Sequence, residues 1–264
     1  MWSNLLISIA AVSASVHAFS PCQSTFCISI AIGIGAWTWF AYSLHRWVKF
    51  KRPGRMHATE RGWLVRHKRG LFLGGGLALV LSGLPLLVAF SVERWDWLVW
   101  AILAGGISLV YAGSPKSRFA LRELPGAKLW AICTAWAFST AALPMAFQGY
   151  SMADPALWAA TGARFLVICA LTIPFDIRDI ALDDPAMRTL PQIIGPRAAT
   201  LLALSMLAGA GAIHSISHGH ASTLVVYALM AAVILWAPDD HPHRRYSMLD
   251  ATLLLLGPAA WIFG

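Results

Sequence analysis

The segment Pro174 to Pro196, PFDIRDIALDDPAMRTLPQIIGP, places Asp176, Asp179 and Asp183 at spacings of three and four. On a helix, residues so spaced fall on one face, a turn apart. Three stacked carboxylates repel one another, and a cation among them removes the repulsion. Mg²⁺ suits such a set, because it takes hard oxygen ligands and fills its remaining positions with water and substrate phosphates. The bland alternative is a solvated acidic helix end with Arg178 pairing internally. The stretch RTLPQIIG, a cation and a turn, follows the acids. That context favours a site.

Other ionisable residues are weaker candidates. Arg164 lies within an apolar stretch, where a charge costs roughly 2.5–3.5 kcal/mol on insertion scales. It should face the interior of a helix bundle or snorkel outward, with Asp96 or Asp250 as conceivable partners. His214 and His218 in HSISHGH are one helical turn apart, with His220 following, but no nearby acid or cysteine completes a metal site. Asp239, Asp240, His241 and His243 form DDHPH, whose prolines read first as a turn.

The elements that must position these groups are membrane spans. The chain has 264 residues, of which 58% are hydrophobic and only 12% charged. A soluble domain carries roughly 25% charged residues, so too little polar surface exists to face water all round. Apolar runs of the length a span needs fall at 3–19, 26–44, 70–91, 95–112, 128–147, 156–175, 197–213, 221–237 and 247–263. Spans in lipid must be helices unless they close a barrel, and the short alternating strands of a barrel are missing. The expectation is an all-α polytopic transmembrane bundle of about nine helices, residues 1–264 forming a single transmembrane domain. The first stretch lacks the basic residues of a signal peptide and reads as a span.

Nine spans make eight loops on alternating sides. The loops after even-numbered spans, 45–69, 113–127, 176–196 and 238–246, hold with their span ends 9, 4, 3 and 2 Lys or Arg, which is 18 of the chain's 20. Lys and Arg collect in cytoplasmic loops, so these loops and the N-terminus are expected to be cytoplasmic, as in a bacterial inner membrane. The net charge of +8 then reflects topology and anionic lipid headgroups, not a nucleic-acid partner. Cys22 and Cys27 could pair if their loop meets an oxidising compartment; Cys133 and Cys169 read as buried fillers. Most of the 13 Trp residues, Trp95, Trp97 and Trp100 among them, read as interfacial belts, with Trp130 and Trp136 as possible cavity walls. Gly74, Gly75, Gly76, Gly105 and Gly106 read as close helix packing.

DIRDIALDDPAMRTLPQIIG resembles the second aspartate-rich motif of the UbiA superfamily of intramembrane prenyltransferases, in which D-x-R-D-x-x-x-D is followed by a basic residue, T-L-P and an aliphatic run to Gly. The nine-span plan is similar too. The segment YAGSPKSRFALR resembles the family's loop after the fourth span, and Asp250 matches an acid common in its last span. The resemblance implies a UbiA-like fold and transfer of a prenyl group from a prenyl diphosphate to an acceptor the sequence does not name, in contact with membrane lipids. It implies Mg²⁺ held by Asp176, Asp179 and Asp183. Tyr111, Lys116, Arg118, Arg122 and Arg188 would bind the diphosphate.

The family's first motif, N-x-x-x-D-x-x-x-D, falls on Ala41, His45 and Lys49, so no metal-binding carboxylate stands there. Two outcomes follow. One metal at the second motif suffices, with His45, Arg46 and Lys49 touching phosphate oxygens directly; or the chain keeps the fold as a non-catalytic binder of an anionic or isoprenoid lipid. A solute transporter ranks last, because Arg164 is the single clear ionisable residue near a span's midplane.

Overall fold

The computed structural model describes residues 3–19, 25–51, 58–92, 95–113, 121, 124–180, 183, 185–217, 221–236 and 242–263. All regular structure among them is helical. In chain order the helices are α1 (Ser3–Ala18), α2 (Thr25–Lys51), α3 (Ala58–Leu81), α4 (Leu84–Val92), α5 (Trp97–Ala112), α6 (Ala127–Ala137) and α7 (Leu143–Gln148). They continue as α8 (Pro155–Asp179), α9 (Leu190–Ile194), α10 (Pro196–Ser217), α11 (Ala221–Trp236), α12 (Pro242–Leu253) and α13 (Leu256–Phe263).

Each expected span lies on helix. A π-helical turn, Phe138–Ala142, joins α6 to α7 in one continuous rod. The third span is broken at Ser82–Gly83 into α3 and α4, and the ninth at 254–255 into α12 and α13. Five stretches are long and apolar enough to cross a membrane, at 26–51, 61–88, 127–148, 155–179 and 196–217, and four shorter apolar helices accompany them. Leu73 on α3 is 77% exposed and Leu87 on α4 is 69% exposed. Side chains of this kind on an outer surface belong against hydrocarbon. The chain is an integral membrane protein.

The first span is central. Ala10, Ala11, Ala14 and Ser15 of α1 are fully enclosed, because α1 packs against α2, α12 and α13. Small residues let backbones approach closely. At Gly35 of α2 a Cβ would meet Val12 at 2.4 Å and the Ser8 carbonyl oxygen at 2.9 Å. Ser13 of α1 stitches the α12–α13 break. Its hydroxyl donates to the Leu254 carbonyl (2.7 Å) and accepts from the Gly257 N–H (2.9 Å).

Three details differ from the sequence expectations. The basic stretch 45–69 is mostly helix, because α2 runs on to Lys51 and α3 starts at Ala58. The cations of this extension lie on aromatic faces, Arg46 on Trp63 and Arg61 on Phe50, which clamp α2 to α3. Trp97 and Trp100 are buried against Phe147 and Phe138 rather than set in an interfacial belt. Among the expected packing glycines, Gly76 and Gly106 face open space, and the tight approaches are at Gly33, Gly35 and Gly257 instead. Cys27 is disulfide-bonded, Cys22 lies outside the described residues, and Cys133 and Cys169 are buried free thiols.

Candidate functional site

The aspartate motif straddles the end of α8. Pro174 inside the helix removes one backbone hydrogen bond just before Asp176. The helix ends at Asp179. Asp183 lies one turn further on, its N–H donating to the Asp179 carbonyl at 2.8 Å. The expected single helical face is therefore replaced by a helix end and a turn. The segment after it explains the TLPQ sequence. Thr189 precedes α9, and Gln192 accepts from the Thr189 N–H at 2.8 Å while donating to the Asp183 carbonyl at 3.3 Å. Gln192 thus fixes the turn that carries Asp183. Arg188 is exposed and has a left-handed backbone, φ 44°, a conformation costing a non-glycine residue about 1–2 kcal/mol.

A residue that sequence reasoning missed organises the acids. Lys128, at the start of α6, places its Nζ 2.9 Å from Asp176 Oδ1 and 2.7 Å from Asp183 Oδ2. The ammonium donates a hydrogen bond to Asp183. Toward the buried Asp176 carboxylate the contact is an ion pair at 2.9 Å. Asp179 is held apart from this pair. Arg178 grips it in bidentate fashion, Nε to Oδ1 at 2.6 Å and Nη2 to Oδ2 at 2.9 Å, and also lies over Phe175. The internal pairing of Arg178 is thus present, and a lysine occupies the point on which the other two carboxylates converge.

These residues do not fit the Mg²⁺ that the resemblance implies. A metal between Asp176 and Asp183 would have to displace the Lys128 ammonium, and Asp179 is already engaged. Among the described residues no three His, Cys, Asp or Glu side chains are grouped to hold a metal ion.

Around Lys128 the polar groups of five helices gather. Tyr111 of α5 lies within electrostatic range of Lys128, and its ring is 5.4 Å from that of His45 on α2. Tyr42, a turn before His45 and also missed from sequence, accepts a hydrogen bond from Trp136 of α6 and lies within electrostatic range of Asp250 on α12. Asp250 in turn feels Arg178. Of the expected cations, His45, Arg46, Lys49 and Arg188 are described, while Lys116, Arg118 and Arg122 lie outside the described residues. Ala41, His45 and Lys49, on which a first aspartate motif would fall, recur every fourth residue on α2.

Trp136 is buried beside this site, whereas Trp130 is 62% exposed and stacks on Phe165. Arg164 pairs with neither Asp96 nor Asp250. Its Nη2 donates to the Ala14 carbonyl at 2.8 Å and faces His17 Nδ1 at 3.3 Å. His214 is buried with its ring 5.5 Å from that of His17. His218, His220, Asp239, Asp240 and His241 lie outside the described residues, as does the side chain of His243.

No protein-family model matches the chain, and no curated protein matches it in sequence. Solved structures do. A UbiA homologue from Aeropyrum pernix K1, in its apo form, superposes with a TM-score of 0.68 at 17% identity, covering 98% of this chain and 97% of that one. A UbiA homologue from Archaeoglobus fulgidus bound to GPP and Mg²⁺ superposes with a TM-score of 0.61 at 15% identity, over 98% and 96% of the two chains. The same protein bound to DMAPP and Mg²⁺ gives 0.59 at 16% identity. End to end, this chain has the helical membrane fold of the UbiA homologues.

Proposed function

We propose that the chain is a UbiA-like membrane prenyltransferase that binds an isoprenoid diphosphate with its head at the Asp176–Asp183 end and its tail among the helices. One observation carries this reading: Tyr42, His45, Tyr111, Lys128, Asp176, Arg178 and Asp250, from five helices of an apolar bundle, converge at one end. The neighbours bound to GPP or DMAPP support it by analogy of fold. The charge bias of the even-numbered loops supports a cytoplasmic orientation for this end, in a membrane such as a bacterial inner membrane.

Prenyl transfer breaks the allylic C–O bond. The diphosphate leaves with the electron pair, and the acceptor captures the cation and releases a proton. The residues of this chain supply positive charge for the leaving group: His45, Arg46 and Lys49 from α2, Lys128 from α6, Arg188 from the turn, and Lys116, Arg118 and Arg122 from the fourth-span loop. Cations stabilise phosphate oxygens in the ionising state. The Lys128 ammonium stands between Asp176 and Asp183, at the point a metal would need, so in this reading the chain's own cations take the charge of the leaving diphosphate that a bound Mg²⁺ would otherwise neutralise.

A second reading, a lipid binder without turnover, is favoured by Ala41, His45 and Lys49 standing where carboxylates would be. Diphosphate release by detergent-purified protein with farnesyl or geranylgeranyl diphosphate separates the two. Release that survives a chelator and falls in Lys49→Ala supports the reading above. Release that needs Mg²⁺ and vanishes in Asp179→Ala supports transfer but places a metal at the aspartates. Saturable binding without release selects the binder. Folded protein that neither binds nor cleaves either donor refutes both.

A further inference from the structure

We propose that the bundle carries a second site at the end opposite the aspartates, where Arg164 binds a single oxyanion group, a carboxylate or a phosphate. Arg164 precedes Asp176 by twelve residues on α8, about 18 Å along the axis. It lines a small cavity of about 70 Å³ together with His17, Gln148, His214, Thr223 and Tyr227. The lining residues come from α1, the rod of α6 and α7, α8, α10 and α11, and none is acidic.

Arg164 is buried, with 5% of its surface exposed. Its Nη2 is used by the Ala14 carbonyl, whereas its Nη1 is buried and has no partner among the described residues. His17 does not neutralise it. Arginine has donors only, so His17 Nδ1, facing Nη2 at 3.3 Å, is an acceptor, and its Nε2–H donates to Thr223 Oγ1 at 3.2 Å. The imidazole is thereby neutral and fixed in one tautomer. No ion pair joins Arg164 to an acid among the described residues, so a full positive charge stands uncompensated beside a cavity.

A buried charge of this kind is retained where it has an anionic partner or lines a pathway. The planar fork of arginine matches the two oxygens of a carboxylate or phosphate, and a neutral guest would leave the charge unanswered. The anion arrives either as a free ion or as the headgroup of an anionic lipid, through the mouth between the helix ends.

The test uses the purified full-length protein. Thermal unfolding is followed in phosphate, acetate and chloride at matched ionic strength. In parallel, protein reconstituted in phosphatidylglycerol or in phosphatidylcholine is analysed for retained lipid by native mass spectrometry. A rise of several degrees with phosphate or acetate over chloride identifies a free anion. Retention of one phosphatidylglycerol but no phosphatidylcholine identifies a lipid. Either effect should vanish in Arg164→Met and weaken at least tenfold in Arg164→Lys, which keeps the charge and loses the fork. Neither effect in the natural protein, or an effect undiminished in a folded Arg164 variant, overturns the site and leaves Arg164 as a helix tie to Ala14. Because the natural protein is measured first, a variant that fails to fold does not shield the proposal.

Discussion

Replacing Lys128 by Met tests whether this lysine serves as the resident cation of the aspartate motif. Its Nζ stands 2.9 Å from Asp176 Oδ1 and 2.7 Å from Asp183 Oδ2. At an effective dielectric of about 20, each contact represents roughly 6 kcal/mol of gross Coulomb attraction. Desolvating three charges offsets most of that sum. What remains observable is the loss when one partner is removed, about 3–5 kcal/mol for a buried pair, because a charge is left stranded. Asp176, whose side chain is 2% exposed, is the stranded group. At 2–4 °C per kcal/mol for a chain of this size, Lys128→Met should lower Tm by about 6–20 °C. A double variant, Lys128→Met with Asp176→Asn, should regain most of it, since the buried charge is gone. The vacated carboxylate pair is also a hard oxygen set. Millimolar Mg²⁺ should therefore raise the Tm of Lys128→Met more than that of the natural protein. Scanning fluorimetry of the detergent-purified variants, with Mg²⁺ or chelator, measures each quantity. A Lys128→Met protein as stable as the natural one, or a natural protein that Mg²⁺ stabilises equally, would refute the reasoning.

Other perturbations follow from local geometry. A Cβ on Gly35 would fall 2.4 Å from Val12 and 2.9 Å from the Ser8 carbonyl oxygen, so Gly35→Ala should push α1 from α2 and cost about 1–3 kcal/mol. Gly76→Ala, facing open space, should be neutral or slightly stabilising, and equal melting of the two variants would contradict the packing described. Arg188 has a left-handed backbone, so Arg188→Gly should gain about 0.5–1 kcal/mol by relieving it. If its side chain also serves the diphosphate, the same variant should bind farnesyl diphosphate about tenfold more weakly. Unchanged affinity in a titration would remove Arg188 from the site.

The fold was legible because hydrophobic length and loop charge are one-dimensional signals. Each expected apolar run lies on helix, since lipid leaves backbone groups no other partner. What failed was placement in depth. The first span reads in sequence as one span among nine, yet its small side chains are what a central helix needs for close packing, and Ala10, Ala11 and Ala14 are fully enclosed. Trp97 and Trp100 looked interfacial because tryptophan is common at interfaces, but their aromatic partners, Phe147 and Phe138, come from the rod of α6 and α7, 50 and 38 residues on.

The site divides along the same line. Asp176, Asp179 and Asp183 were readable because their spacing is local, and TLPQ because Gln192 reaches back only as far as Thr189 and Asp183. Lys128 was not readable. In sequence it is one of four basic residues around the fourth-span loop, and its partner Asp183 is 55 positions away. Counting charge by loop identified which end of the bundle is positive but could not separate a cation that anchors headgroups from one turned inward between two acids. That distinction decides the chemistry. With carboxylates missing at Ala41, His45 and Lys49, and an ammonium already between Asp176 and Asp183, the proposed transfer would draw the positive charge for its leaving diphosphate from the chain itself, and Lys128 is the residue whose removal tests that proposal.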